Sequence, residues 1–259
     1  MADFVFGQKP PKAVTDYLER KGIVPSFAWK DVWQEEHQAV FTVAKAMQYD
    51  ILTDIKTAVE EALKEGKTFR DFARDLTPVL QDKGWWGQQE VVDPVTGEIM
   101  EAMLGSPRRL RVIYDTNLRT ARAHGQWQRI ERTRRTHPYL IYETGPSLEH
   151  RTEHLRWRGT LLPSDHPWWD THTPQNGWGC KCRVRQVSKV EYERIKGRSN
   201  TTAPDIKTST WQDKRTGRTE EVPEGIDPGW GYNPGKMRLE NLEQIASEKK
   251  AAWKRLHGE

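Results

Sequence analysis

The sequence predicts an α+β fold, with a helical N-terminal half, a small loop-rich α+β module after it, and polar extended arms. Apolar residues repeat at helical spacing within 37–135, and short apolar or alternating runs punctuated by Gly and Pro follow within 139–187. We therefore expect four segments. They are an N-terminal arm (1–36), a helical region with a hairpin (37–105), a compact module (106–197), and a polar extension with a terminal helix (198–259).

The composition narrows the class of protein. Hydrophobic residues make up 35% of the 259 residues and charged residues 30%, yet there are twelve Trp, which indicates a folded centre with polar flanking regions. The net charge of +4 permits a nucleic-acid partner without requiring one. Two cysteines do not make a secreted disulfide framework. No signal peptide is visible in MADFVFGQKPPKA, and no apolar run approaches the ~18 residues of a membrane span, so we expect a protein of the reducing cytoplasm with no membrane partner.

Helices are expected through the first half. A short helix in the arm is closed by Gly22. One long helix is expected over 37–65, where apolar residues recur at three and four positions, and Gly66 ends it. A second helix begins after Thr68 as N-cap, with Asp71 three residues on.

Hairpins, strands and two shorter helices are expected elsewhere. Turn sequences of the D-x-x-T-G type predict ribbons at 90–100 and 211–222. Strands are predicted at 139–142, within RWRGTLLP (156–163) and over CRVRQV (182–187). Ser188 and Glu191 form a capping box for a short helix that Gly197 ends, and the last helix covers 236–257.

The clearest helix covers 106–135, with Ser106 as N-cap and Pro107 at the first helical position. One face is apolar and the opposite face carries nine arginines, against only Asp115 and Glu131, a local excess of +7. A solubility surface usually mixes signs, so this asymmetry favours contact with DNA or an acidic partner over a merely solvated face. The arginines are Arg108, Arg109, Arg111, Arg119, Arg122, Arg129, Arg132, Arg134 and Arg135.

Histidines and both cysteines concentrate in 147–185. Imidazole and thiolate are standard zinc ligands, which makes His154, His172, Cys180 and Cys182 candidates for a structural zinc site. The C-x-C spacing is tighter than the usual C-x₂₋₄-C spacing of zinc ligands. Two alternatives remain open: simple packing of these side chains in a Trp-rich, loop-rich core, or activation of a cysteine nucleophile by His154.

These residues resemble the phage Mu F-like minor head proteins, the phage head morphogenesis family. The segments IYDTNLRTARAHGQW and HLRWRGTLLPSDHPWWDTHTPQNGWGCKCRV carry the resemblance. The family's Asp-x-Arg-Thr-Arg-Pro motif before the histidine is replaced by 147–152, where Arg151 alone survives. The matching positions include Asp115, Asn117, Arg119, His154, Trp157, Gly159, Asp165, Trp169, Asn176, Gly177 and Trp178.

The resemblance implies a minor capsid protein of a tailed phage or prophage that assists procapsid assembly at the portal vertex. Its implied partners are portal and capsid or scaffold proteins, with double-stranded DNA as a further contact. Its implied location is the host cytoplasm during assembly and then the virion head. Such a protein works by binding and is not an enzyme. The alternatives are a nuclease or transferase-like enzyme using His154 with Cys180 or Cys182, and a free, non-specific DNA-binding protein.

Overall fold

A computed structural model describes residues 9–236 and 239–257 of the chain. The first eight residues, where the predicted arm begins and where no signal peptide was expected, lie outside these ranges. So do 237–238 and 258–259, at the ends of the predicted terminal helix and extension. The chain divides into two compact units, Met1–Arg122 with Arg238–Glu259, and Ala123–Met237. This division cuts across the four segments expected from the sequence, which stay a prediction.

Helices and several small sheets confirm the α+β class. The helices are α1 (Lys12–Glu19), α2 (Glu36–Ala39), α3 (Tyr49–Glu65), α4 (Phe69–Asp82), α5 (Pro107–Thr133), α6 (Thr152–Trp157), α7 (Trp168–His172), α8 (Lys189–Ile195) and α9 (Leu239–His257). The strands are β1 (Gly22–Ile23), β2 (Val40–Phe41), β3 (Gln88–Val92), β4 (Ile99–Met103), β5 (Tyr139–Glu143), β6 (Leu161–Pro163), β7 (Arg183–Val187), β8 (Thr208–Gln212) and β9 (Thr219–Pro223). None of the helices in the described ranges is both long and apolar enough to cross a membrane.

The first unit is built on α3 and α4. Gly66 adopts a left-handed conformation with φ of 70° and ends α3, as predicted. The Thr68 hydroxyl accepts a hydrogen bond from the Asp71 amide at 3.3 Å and so caps α4, also as predicted. The apolar face of α3 is buried at helical spacing through Ile51, Leu52, Ile55, Val59, Ala62 and Leu63.

The single long helix predicted over 37–65 is wrong. The chain leaves α2 at Ala39, forms β2, and starts α3 only at Tyr49. Val40 and Phe41 fit a helical repeat, but they pair in parallel with β1, in the register Gly22↔Val40 and Ile23↔Phe41. Pairing with a segment 18 residues earlier therefore overrides the local periodicity.

The predicted N-terminal arm packs into the first unit over the part that the structure describes. Tyr17 and Leu18 of α1 are 2% and 1% exposed and belong to the same core as α3 and α4. Helix α1 ends before Gly22, which is paired in β1. Helix α9 closes this unit by packing on α2 and β1, and its Lys249 Nζ lies 2.6 Å from Glu36 Oε2.

Both predicted ribbons are present and share one turn chemistry. In β3–β4 the Asp93 carboxylate accepts from the Val95 amide at 2.8 Å, and the Gly97 amide donates to the Asp93 carbonyl at 2.8 Å. In β8–β9 the Asp213 carboxylate accepts from the Arg215 amide at 2.8 Å, and the equivalent glycine amide donates to the Asp213 carbonyl at 2.7 Å. The D-x-x-T-G pattern thus encodes the turn itself through the aspartate side chain.

The second unit has a three-stranded antiparallel sheet in the order β6–β5–β7. The predicted strand within 156–163 is confined to Leu161–Pro163, because α6 occupies the residues up to Trp157. The Ser188 hydroxyl accepts from the Glu191 amide at 3.2 Å and caps α8, as predicted. Helix α8 ends at Ile195 and a 3₁₀ turn follows over Lys196–Arg198, so Gly197 does not end the helix. The core of this unit consists of Trp127, Ile130, Leu140, Tyr142, Trp157, Leu162, Trp168, Trp169, Val184, Ile226 and Trp230.

Candidate functional site

His154 and the two cysteines converge in the second unit. His154 lies on α6, 3% exposed, and its Nδ1 is 3.5 Å from Cys182 Sγ and 3.9 Å from Cys180 Sγ. One ligand atom from each of the three residues lies within 4.8 Å of the others. The sequence prediction therefore selected side chains that the fold brings together.

Both cysteines lie before the strand. The predicted strand began at Cys182, but β7 begins at Arg183. Cys180 is instead in a turn, where its amide donates to the Gly177 carbonyl at 3.2 Å. The turn directs both Sγ atoms toward α6.

The second nitrogen of His154 is held by Gly225. The Nε2 atom lies 2.8 Å from the Gly225 carbonyl oxygen, which can only accept. Gly225 has φ of +84°, and a Cβ there would lie 2.5 Å from Glu153 Cβ and 2.7 Å from the Trp157 ring. Trp157 also stacks on the imidazole at 4.9 Å. Only glycine therefore brings this carbonyl to the histidine.

The two thiols ionise unequally. The hydrogen bond from the Cys180 thiol, followed by that from His154, lowers the pKa of Cys182 from 9.0 to about 4. The same thiol pairing and burial raise the pKa of Cys180. Burial, with the neighbouring cysteines, also raises the pKa of Tyr142, whose hydroxyl donates to Asn176 Oδ1 at 3.1 Å. The cluster therefore combines one thiolate, one thiol and an imidazole, which suits a soft metal ion or a reactive thiolate.

His172, the fourth predicted ligand, is not in this group. Its ring stacks on Trp168 at 4.5 Å, and its Nδ1 lies 2.7 Å from Thr171 Oγ1. Burial lowers the pKa of His172 to about 4. The structure places it in the aromatic core, where it meets the Trp157 ring edge-on at 4.8 Å.

The family-motif residues around Asn176 form a polar cluster that shapes the loop before the cysteines. Asp227 Oδ2 accepts from the Arg151 guanidinium and from the Trp178 amide, both at 2.8 Å. A Cβ at Gly177 would lie 2.3 Å from that carboxylate oxygen, so the loop needs glycine here. Arg151 is the one residue of the family's Asp-x-Arg-Thr-Arg-Pro motif that this chain retains, and its partner is Asp227.

The other motif residues are dispersed. Trp169 is fully buried and donates to the Pro163 carbonyl at 2.9 Å. Asp165 pairs with Arg134 at 2.5 Å. Asp115 lies 4.0 Å from Arg119, and Asn117 donates to the Ile113 carbonyl at 2.9 Å, while Gly159 has φ of +83°.

The nine arginines of 108–135 fall into three groups. Arg109 is structural: its guanidinium donates to the Met103 and Ala44 carbonyls and lies 4.9 Å over the Trp85 ring. Arg119 and Arg134 have acidic neighbours, as described above. The exposed members are Arg108, Arg111 and Arg122 in the first unit, and Arg129, Arg132 and Arg135 in the second.

Two residues of the site were not identified from the sequence, Gly225 and Asp227. Both lie more than 40 residues after the cysteines, in a segment expected to lack a core of its own. A sequence signal that could have identified Gly225 is the glycine in Pro-Glu-Gly-Ile-Asp, because a glycine can mark a backbone position that needs positive φ or close approach. Nothing in local spacing indicated that this segment returns to α6.

Comparison with known proteins identifies the family. Residues 53–185 match the family described as phage Mu protein F like protein. The putative capsid assembly protein F of Escherichia phage Mu is 39% identical over 242 residues, covering 87% of this chain and 54% of that protein. The Mu-like prophage FluMu F protein of Haemophilus influenzae is 31% identical over 241 residues, covering 84% of this chain and 56% of that protein.

The chain spans about half the length of these two curated relatives. No solved structure matches it significantly. The family match includes α6, Cys180 and Cys182 and extends over a little more than half of the sequence. This chain therefore belongs to the family of phage Mu protein F-like proteins.

Proposed function

We propose that this chain is a minor head protein of a tailed phage or prophage that assists procapsid assembly at the portal vertex. It acts by binding portal and capsid or scaffold proteins, first in the host cytoplasm and then in the virion head, and not by turnover. Membership of the Mu F-like family supports this proposal, as does the relative named as a putative capsid assembly protein.

The observation that carries a contact role is the set of six exposed arginines in 108–135, five of which lie on α5. Arg108 and Arg111 are three residues apart, as are Arg129 and Arg132, so each pair shares one side of the helix. Arg111 also lies 3.5 Å over the Phe69 ring, which holds its guanidinium in place. Guanidinium groups suit phosphate and carboxylate oxygens, so the contact is with DNA or an acidic protein surface.

The proposed contact is assigned to only some of the nine arginines. Burial lowers the pKa of Arg109 to about 10, and its hydrogen bonds hold it against the first core. Arg134 is engaged by Asp165. The proposal therefore rests on the six exposed arginines and leaves Arg109 as a fold-stabilising residue.

Particle composition tests the assembly role. Quantitative mass spectrometry of purified proheads and DNA-filled particles should find a few copies of this chain in both fractions. Absence from both, with the chain free in the lysate, contradicts a head role. In that case nuclease and transferase assays, and a test for free DNA binding, become the next experiments.

A charge-reversal pair tests the contact. Arg129→Glu with Arg132→Glu should lower incorporation into particles, whereas Arg194→Glu with Arg198→Glu changes the same charge at exposed sites outside α5 and serves as the control. If the partner is DNA, the slope of log K against log salt should fall by about one for each arginine–phosphate interaction that the substitutions remove. If incorporation falls and DNA affinity is unchanged, the surface binds an acidic protein. Equal effects in both pairs contradict a specific role for α5.

A further inference from the structure

Both cysteine sulfurs face the same ring nitrogen of His154 in the second unit. The Gly225 carbonyl accepts from Nε2, so Nδ1 is the ring nitrogen that faces the cysteines. It lies 3.5 Å from Cys182 Sγ and 3.9 Å from Cys180 Sγ. Three atoms that can each bind a metal ion therefore lie within 4.8 Å of one another.

The separations match those of ligands that share one ion. With Zn–S of about 2.3 Å, Zn–N of about 2.0–2.1 Å and a tetrahedral angle, the N···S separation is about 3.6 Å. The observed values of 3.5 and 3.9 Å bracket this distance. The two nitrogen–sulfur separations thus suit a zinc-sized ion.

We propose that His154, Cys180 and Cys182 bind one zinc-class divalent ion, with both cysteines as thiolates. Two sulfurs and an imidazole are soft ligands that favour zinc over magnesium or calcium. The group has three members among the described residues, so the fourth position of the ion takes water or another small ligand. The ion competes with protons for the two thiolates, so occupancy falls as the pH is lowered.

The surroundings of His154 support a built site. A metal-bound histidine usually donates its other N–H to a carbonyl or carboxylate, which fixes the tautomer and the ring orientation. The Gly225 carbonyl already does this, and the Trp157 ring stacks on the imidazole. Only glycine permits the close approach of residue 225 to Glu153 and Trp157. This approach places the Gly225 carbonyl oxygen next to His154.

The proposed ion connects three segments that are distant along the chain. It links α6 to the turn before β7, and through His154 it acts on the segment after β9. A ligand that binds the folded state and not the unfolded state stabilises the fold. Zinc should therefore stabilise the second unit.

Metal content is the direct test. The full chain, without a polyhistidine tag, is reduced and freed of metal anaerobically, incubated with Zn²⁺ or Co²⁺, and desalted. We expect one ion per chain, and the Co²⁺ form should show thiolate-to-metal charge-transfer bands and the intense visible bands of tetrahedral cobalt. A folded, reduced chain that takes up no metal overturns the proposal, as does bound cobalt without thiolate bands.

Variants locate the ion. Cys180→Ser, Cys182→Ser and His154→Asn should each weaken Zn²⁺ affinity by at least about tenfold. His166→Ala is the matched control, because His166 is a histidine of the same module outside the ligand group. Retention of affinity in both cysteine variants, or an equal loss in His166→Ala, overturns the assignment.

Thermal unfolding of the wild-type chain gives a readout that needs no variant to fold. The midpoint should rise with free Zn²⁺ concentration and return to the metal-free value after chelation. Mg²⁺ at the same concentration should leave it unchanged. Equal shifts with both ions overturn a thiolate site.

Discussion

The two units bury their cores by different means. The first core is largely aliphatic, with Leu, Ile, Val and Ala on α3, α4 and α5. The second is built on tryptophans and Tyr142, and it has buried polar neighbours such as His154, His172 and Asn176. Apolar residues at helical spacing supply the faces that α3, α4 and α5 contribute to the first core. The second depends on individual hydrogen bonds between segments far apart in the chain, so it should be the less tolerant of substitution.

The largest expected effect is at Trp169. It is fully buried and its indole donates to the Pro163 carbonyl at 2.9 Å. Trp169→Ala should lower the free energy of unfolding by roughly 3–5 kcal/mol, measured by urea denaturation followed by circular dichroism. Leu52→Met in the first core conserves volume and should cost less than about 1.5 kcal/mol. Similar losses in both variants contradict the contrast between the cores.

A smaller loss is expected at Asn233, which is 4% exposed. Its amide nitrogen donates to the Trp169 carbonyl and to Thr173 Oγ1, both at 3.1 Å, and its Oδ1 accepts from the Gly235 amide at 2.9 Å. Asn233→Ala leaves buried groups unpaired and should cost roughly 1–3 kcal/mol. Asn200→Ala, at an exposed asparagine, should stay within about 0.5 kcal/mol in the same denaturation experiment.

The first unit has its own buried polar group in Lys21. Burial, and then the nearby Lys56 charge, lower the pKa of Lys21 from 10.5 to about 7. The folded protein therefore holds Lys21 neutral above pH 7, while the unfolded chain keeps that proton up to about pH 10.5. Because the unfolded state binds more protons in this window, stability rises with pH, by at most about 1.4 kcal/mol per pH unit.

Lys21→Met should remove that rise and stabilise the protein at pH 6. Urea denaturation at several pH values between 6 and 9 measures it. Lys30→Met is the control, since it removes an equal charge from the same unit. An unchanged slope in Lys21→Met contradicts the buried-lysine interpretation.

The smallest effect is expected at a helix cap. Thr68→Ala removes the acceptor for the Asp71 amide and should cost about 1 kcal/mol, measured as a shift in the urea midpoint. Thr53→Ala is matched, because its hydroxyl only donates to the Tyr49 carbonyl within α3. That change should stay within about 0.5 kcal/mol, since mid-helix threonine bonds add little. A larger loss of stability in Thr53→Ala than in Thr68→Ala would contradict a specific role of the cap, because loss of a threonine hydroxyl elsewhere in a helix would then cost more.

The elements predicted correctly have local causes. Ser106 with Pro107 begins α5, Thr68 begins α4, and the D-x-x-T-G turns form both ribbons. The wrong prediction over 37–65 has a non-local cause, because the pairing of β2 with β1 cannot be seen in the apolar spacing of Val40 and Phe41. Sequence periodicity reports neighbours within a few residues and is silent on such pairings.

The same limit applies to the candidate site. Residue chemistry alone selected His154, Cys180 and Cys182, and the structure brings them together. Their geometry was not predictable, because it depends on the turn before β7 and on the return of Gly225 to α6. His172 has the same chemistry as His154, and only the packing of Trp157 and Trp168 separates their surroundings.

The position of α9 in the first unit has a consequence for biosynthesis. Translation runs from the N-terminus, so residues 123–237 emerge from the ribosome before the helix that packs on α2 and β1. Domains generally fold as units during synthesis, so the second unit can acquire its structure while the first still lacks a helix. The nascent first unit then exposes the surface around Gly22, where Ala246 will pack, until α9 arrives. The first unit is therefore completed only after the whole second unit has been synthesised.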